Sequence, residues 1–148
     1  MSRPDIISQE IFHATTVAVA GTGLMITGPS GAGKSSLALQ LMAWGADLVA
    51  DDRTLLRERS DGAIEALAPP TLPPRIEARG VGLLPAKLSG PVRLGAVVSL
   101  SSAVTARLPE PAHCMILGQK VTLIHKSETA HFASAVLQYM KGTFGSSP

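Results

Sequence analysis

Gly28-Pro29-Ser30-Gly31-Ala32-Gly33-Lys34-Ser35 is the stretch on which the rest of this chain turns. Three glycines within six positions exclude regular structure there. They let successive backbone N–H groups turn inward around an anion. The string satisfies G-x-x-x-x-G-K-[ST] in full, a spacing that answers to the needs of a bound polyphosphate. Gly28, Pro29, Ser30, Gly31, Ala32 and Gly33 supply the cradle. Lys34 reaches the β- and γ-phosphates, and the Ser35 hydroxyl serves Mg²⁺. The loop is expected to bind the phosphates of a nucleotide, with Lys34 also meeting charge that grows during transfer.

The flanks agree. Upstream, apolar and β-branched runs at Ile11–Val19 and Leu24–Thr27 predict two strands joined by a tight turn at Gly21-Thr22-Gly23. Downstream, Leu37, Leu41 and Trp44, with Ala38 and Met42 beside them, follow the spacing of an amphipathic helix. Gly45 is its expected stop, since Gly adopts the left-handed cap conformation freely. A short strand, Leu48-Val49-Ala50, then ends in Asp51-Asp52. Ser60-Asp61-Gly62 predicts a hairpin turn between 54–59 and 63–67, and Pro69, Pro70, Pro73 and Pro74 an extended loop. Further strands are expected at Val92–Leu100 and Lys120–Ile124. A last helix has Phe132, Val136, Leu137 and Met140 on one face, with Ser127 as its cap and Gly142 as its stop. The pattern predicts an α/β domain with a mixed sheet and flanking helices.

Ligands of open α/β sheets lie at the carboxyl ends of strands, so the strand after the loop helix delivers Asp51 and Asp52 towards the phosphates. Two carboxylates there can divide the labour: one holds Mg²⁺ or its water, the other accepts the proton of an incoming hydroxyl. In Ile76-Glu77-Ala78-Arg79, Glu77 suits a further Mg²⁺ ligand and Arg79 a phosphate clamp, although taken alone these residues read better as an exposed, salt-bridged loop. His13 by itself reads as structural, and Arg107 says nothing by spacing. Ser36, next to the Mg²⁺-serving hydroxyl, reads as a helix cap.

Composition narrows the class. At 148 residues with 45% apolar content and mean hydropathy +0.26, the chain is expected to be one domain, 1–148, with a core of its own. Thirteen Lys and Arg against eleven Asp and Glu leave +2, too small an excess for a nucleic-acid stripe. Aromatics at 3% are too few for base stacking. A single Cys114, no long apolar run, and acidic Asp5 and Glu10 at the start predict a soluble cytoplasmic protein without membrane contact.

Together, the run from His13 to Gly28, the loop ending Gly33-Lys34-Ser35, and Leu48-Val49-Ala50-Asp51-Asp52 resemble HPr kinase/phosphorylase. Glu77-Ala78-Arg79-Gly80-Val81-Gly82 is similar to that family's signature, normally Glu-Ile-Arg-Gly-Leu-Gly. The resemblance covers about Ile11 to Leu84, roughly half of the chain. It implies a fold of the phosphoenolpyruvate carboxykinase-like P-loop type, a hexameric assembly, and ATP- and Mg²⁺-dependent phosphorylation of a serine of HPr, a small phosphocarrier. It also implies roles: His13 as active-site histidine, Asp52 as proton acceptor, Ser35 and Glu77 as Mg²⁺ ligands. Arg107, in Arg-Leu-Pro, matches the family's later active-site arginine. Departures stand at Ser36, usually acidic, and at Ala78, usually aliphatic. With twelve residues before His13, the chain resembles short alphaproteobacterial forms lacking the N-terminal regulatory domain. The family's later Gly-Arg-Asn element has no counterpart near Lys126, so reversal by phosphorolysis stays open. Two other readings share the loop: a small-molecule P-loop kinase, and a nucleotide sensor without turnover.

Overall fold

The computed structural model describes residues 5–145, apart from the side chains of Ser102 and Val104. The chain runs β1 (Ile6–Phe12), β2 (Ala14–Val19), β3 (Thr22–Thr27), α1 (Lys34–Ala43), β4 (Asp47–Ala50), β5 (Thr54–Arg59) and β6 (Ile64–Leu67). It continues through β7 (Arg75–Ala78), β8 (Gly82–Pro85), β9 (Val92–Val104), β10 (Ala112–Ile116), β11 (Gln119–Ser127) and α2 (Phe132–Phe144). The main sheet has the order β1-β5-β6-β9-β3-β2-β4, with β11 added to β9 and β10 to β11. Strand β9 is parallel to β3 and β11 but antiparallel to β6, so the sheet is mixed. One edge of β9 carries β3; the other takes β6 at Arg93 and then β11 from Ala96 onward. Strands β7 and β8 form a separate hairpin.

Alternation along the central strands explains why the sheet is covered on both sides. Successive side chains point to opposite faces. Leu24 and Ile26 of β3, with Ala96 and Val98 of β9, face a cluster that includes Leu37 and Leu41 of α1 and Val136 and Met140 of α2. Met25 and Val97, between them, face Leu56, Ile64, Ile116 and Val121 on the other side. With both faces covered, β2 is buried along its whole length, which is why its sequence shows no polar alternation. No helix among the described residues is long and apolar enough to cross a membrane.

Several expectations need correction. The run Ile11–Val19 is two strands: the chain breaks at His13, and β1 pairs β5 while β2 pairs β3 and β4. The turn after β2 is Ala20-Gly21, both at positive φ, because Thr22 and Gly23 already pair with Val19 and Ala18. Trp44 lies outside the apolar face of α1 and is 52% exposed. Gly45 does stop α1: at φ 105 it lets its own N–H reach the Met42 carbonyl, and the Ala46 N–H reach that of Leu41. Helix α2 is preceded by His131, not capped by Ser127, which belongs to β11; it runs past Gly142 to end before Gly145. Residues around Glu77, expected as a loop, form the β7–β8 hairpin, and β10 was not foreseen.

Candidate active site

Strand β2 lies beside the end of β4, with Thr16 opposite Ala50. This register puts the buried Thr15 next to the point where the chain leaves β4 as Asp51-Asp52. Its hydroxyl serves both aspartates, donating to Asp51 Oδ1 at 2.9 Å and accepting from the Asp52 N–H at 3.1 Å. Asp51 Oδ1 also accepts from the Ser35 hydroxyl at 2.6 Å, and Oδ2 from the Glu77 N–H at 2.9 Å. One carboxylate thus ties β2, the start of α1 and β7 together. Ionised acceptors make the stronger kind of hydrogen bond, and here three donors converge on it.

Asp52 is placed differently. Its φ of 73° is left-handed, a conformation that residues other than Gly rarely adopt and that recurs at functional sites. The turn sends its carboxylate outward, where Oδ1 lies 2.7 Å from His13 Nε2. Both side chains are more than half exposed, so the pair adds little to stability. What it does is hold the two groups in a fixed relation. His13 can reach Asp52 because it stands in the break between β1 and β2.

The glycine loop closes over the start of α1. Gly28, Gly31 and Gly33 all have positive φ, at 152°, 83° and 100°. At Gly28 a Cβ would also lie 3.1 Å from that of Leu100, so a side chain there meets a tight contact as well as a strained backbone. The N-terminus of α1 carries no side-chain cap, Ser36 included, which leaves its N–H groups to the loop. The buried Lys34 donates to the Gly28 and Pro29 carbonyls at 2.8 and 3.1 Å, and the Ala32 N–H also bonds Pro29. In front of the loop lies a cleft of about 260 Å³.

That cleft brings His13, Lys34, Ser35, Asp52 and Glu77 to one wall, together with Ser30, Gly31 and Gly33. Asp51 sits beneath it, under Ser35, while Gly28 and Pro29 act through the carbonyls that hold Lys34. Ala32 packs on the core behind. Arg107 is exposed on the segment after β9 and is not among the residues of the cleft; the arginine found there is Arg79. Thr15 escaped sequence reasoning, since a threonine inside an apolar strand gives no signal until the register with β4 is known. Hydroxyl and carboxylate oxygens from Ser35, Asp51 and Glu77 form a donor set suited to a hard cation such as Mg²⁺. Cys114 is remote, and burial pushes its thiol up, which suits a packing role rather than a nucleophile.

Comparison with known proteins bears on the fold and the family. HPr kinase/phosphorylase from Bordetella petrii is 47% identical over 72 residues, covering 49% of this chain and 23% of that protein. The protein of the same name from Lacticaseibacillus casei strain BL23 is 42% identical over 72 residues, with the same shares. The match therefore spans 23% of the length of these relatives. The solved structure of the Hpr(Ser) kinase/phosphatase from Coxiella burnetii superposes with a TM-score of 0.75 over 90% of this chain and 89% of that one. At 20% identity that likeness establishes the fold, a mixed α/β architecture consistent with the phosphoenolpyruvate carboxykinase-like type. The model of the HPr Serine kinase C-terminal domain matches residues 5–90, from β1 past the β7–β8 hairpin, and with more than half of its length inside that match the chain belongs to this family.

Proposed function

We propose that this domain is an ATP- and Mg²⁺-dependent protein serine kinase acting on an HPr-type phosphocarrier. The observation that carries the proposal is the unequal treatment of two adjacent carboxylates. Asp51 is locked by three donors beneath Ser35, whereas Asp52 is turned into the cleft against His13. One carboxylate can hold the metal and its water. A kinase also needs a base that meets the acceptor. The names of the relatives supply the acceptor.

The loop N–H groups and Lys34 hold the triphosphate, and the end of α1 points its positive dipole at the same place. Ser35, Asp51 and Glu77 are the residues that would hold Mg²⁺, which when bound offsets the negative charge of the phosphate oxygens. Asp52 takes the proton of the acceptor serine. The serine Oγ bonds to the γ-phosphorus as the bond from that phosphorus to the bridging oxygen of ADP breaks. His13 orients the Asp52 carboxylate for this, and Arg79 faces charge on the transferred group. Arg107 keeps a role in the proposal only if its segment reaches the cleft with substrates bound. The same reading makes 1–148 one catalytic domain, cytoplasmic and homo-oligomeric.

Incubation with γ-labelled ATP, Mg²⁺ and purified HPr tests the proposal. Label on an HPr serine is expected, and label released only as phosphate, or left on ATP, contradicts it. Adding inorganic phosphate to the phosphorylated HPr then shows whether the reaction runs backward with release of pyrophosphate.

A further inference from the structure

Two hydroxyls buried behind the His13–Asp52 pair take no part in the chemistry described so far. Thr16 and Thr54 are both fully buried, and their Oγ1 atoms lie 2.9 Å apart. Thr54 Oγ1 donates to the Ala14 carbonyl at 3.0 Å. A hydroxyl has one proton to give, so between the two threonines Thr16 is the donor. Resting on the kinase reading, we infer that Thr54 is a positioning residue for proton removal: braced by Thr16, it fixes both members of the His13–Asp52 pair.

Register carries the argument. Thr54 opens β5 two residues after Asp52, and there it pairs with Phe12, the last residue of β1. Its hydroxyl meanwhile reaches Ala14, the first residue of β2. The residue between those two partners is His13. One threonine therefore brackets the break in which His13 stands and ends the turn that carries Asp52. Thr16 secures the same turn from its other side. It lies opposite Ala50, the last residue of β4, while its hydroxyl holds Thr54. The chain from Ala50 to Thr54 is thus tied at both ends to one residue of β2. Such a tie is needed because Asp52, at φ 73°, holds a conformation that persists only where its surroundings enforce it. The exposed His13–Asp52 contact is too weak to do so alone. Packing does not call for these hydroxyls. Valine has nearly the same shape, suits a strand, and needs no hydrogen-bond partner when buried. What the hydroxyls add is a directional link between β2 and β5, which are not neighbours in the sheet.

Steady-state transfer to HPr by Thr54→Val and Thr54→Ser tests the assignment, with ATP affinity measured by calorimetry and folding by circular dichroism. Thr54→Val should lower kcat about tenfold or more, since a small misplacement set up away from the reacting atoms can cost about a hundredfold. The Michaelis constant for HPr and the ATP affinity should stay within about twofold of wild type, the mark of an effect confined to the transition state. Thr54→Ser, which keeps the hydroxyl, should restore most of the rate. Thr16→Val removes the brace but leaves the bond to Ala14, and should show the same split with a smaller loss. In a His13→Ala background, Thr54→Val should cost less than about threefold, because the pair it positions is already gone. An unchanged kcat in both valine variants overturns the inference while the kinase reading stands. So does a loss that Thr54→Ser fails to restore, or one that keeps its full size in the His13→Ala background. Absence of transfer to HPr by the wild type overturns the kinase reading, and the inference with it.

Discussion

The Thr15 hydroxyl carries more of the site than its size suggests. It donates to Asp51 and accepts from the Asp52 N–H, so one oxygen sets the height of one carboxylate and the turn that aims the other. Thr15→Val keeps the shape and removes both bonds. Leaving such partners unsatisfied costs about 1–3 kcal/mol, which urea unfolding would read directly. Transfer to HPr should fall with it, because Asp52 loses the bond that holds its backbone in the left-handed turn. Stability equal to wild type would show that water replaces the hydroxyl without loss. Lys34→Ala is a different kind of change. The lysine is buried against the loop carbonyls, and its positive charge meets charge that develops in transfer. A loss of about a hundredfold or more in rate is expected from single-turnover measurements, with the domain still folded by circular dichroism. An unchanged rate would remove Lys34 from the mechanism.

Among the elements, β7 is held to the body of the domain along one side. Its residues alternate, with Ile76 and Ala78 buried against α1 and the core while Arg75 and Glu77 face out. Ile76 is 1% exposed, so Ile76→Ala should cost about 2–5 kcal/mol in thermal or urea unfolding. A cost near zero would mean that the hairpin is not anchored there. Glu77→Gln keeps the hairpin, since the bond to Asp51 comes from the main chain, and removes only the side-chain charge. Its expected effect is a higher Mg²⁺ concentration for half-maximal transfer. An unchanged Mg²⁺ titration would return Glu77 to a surface role. The α1 stop was readable, because a glycine after an apolar helical face has few other uses. The hairpin was not, since Glu77 to Gly82 alternates polar and small residues and takes its burial from α1, which lies elsewhere in the sequence. The break at His13 was hidden for a related reason. Residues on both sides of it are strand formers, and only the partners of β1 and β2 differ.

On the scale of the whole molecule, the glycine loop was legible because its chemistry restricts the backbone at fixed positions, whatever surrounds it. The sheet order was not. Strand β9 gathers β3, β6 and β11 along its two edges, and nothing local to its sequence encodes which strand takes which edge. The site followed the same division. His13, Ser35, Asp51, Asp52 and Glu77 could be named beforehand, with the resemblance implying a role for all of them but Asp51. Thr15 and the place of Arg79 in the cleft needed the packed chain, and Arg107, named from a motif, is exposed and not among the residues that line the cleft. What joins these residues into one account is the division between Asp51 and Asp52, and single-turnover transfer from ATP to HPr by Asp52→Asn tests it most directly. With ATP affinity within a few-fold of wild type, the rate should fall by roughly 10²–10⁴, the usual share of a general base. Asp51→Asn should instead weaken Mg²⁺ or ATP binding. Near wild-type transfer by Asp52→Asn, beside a collapse in Asp51→Asn at saturating ATP and Mg²⁺, would contradict the account.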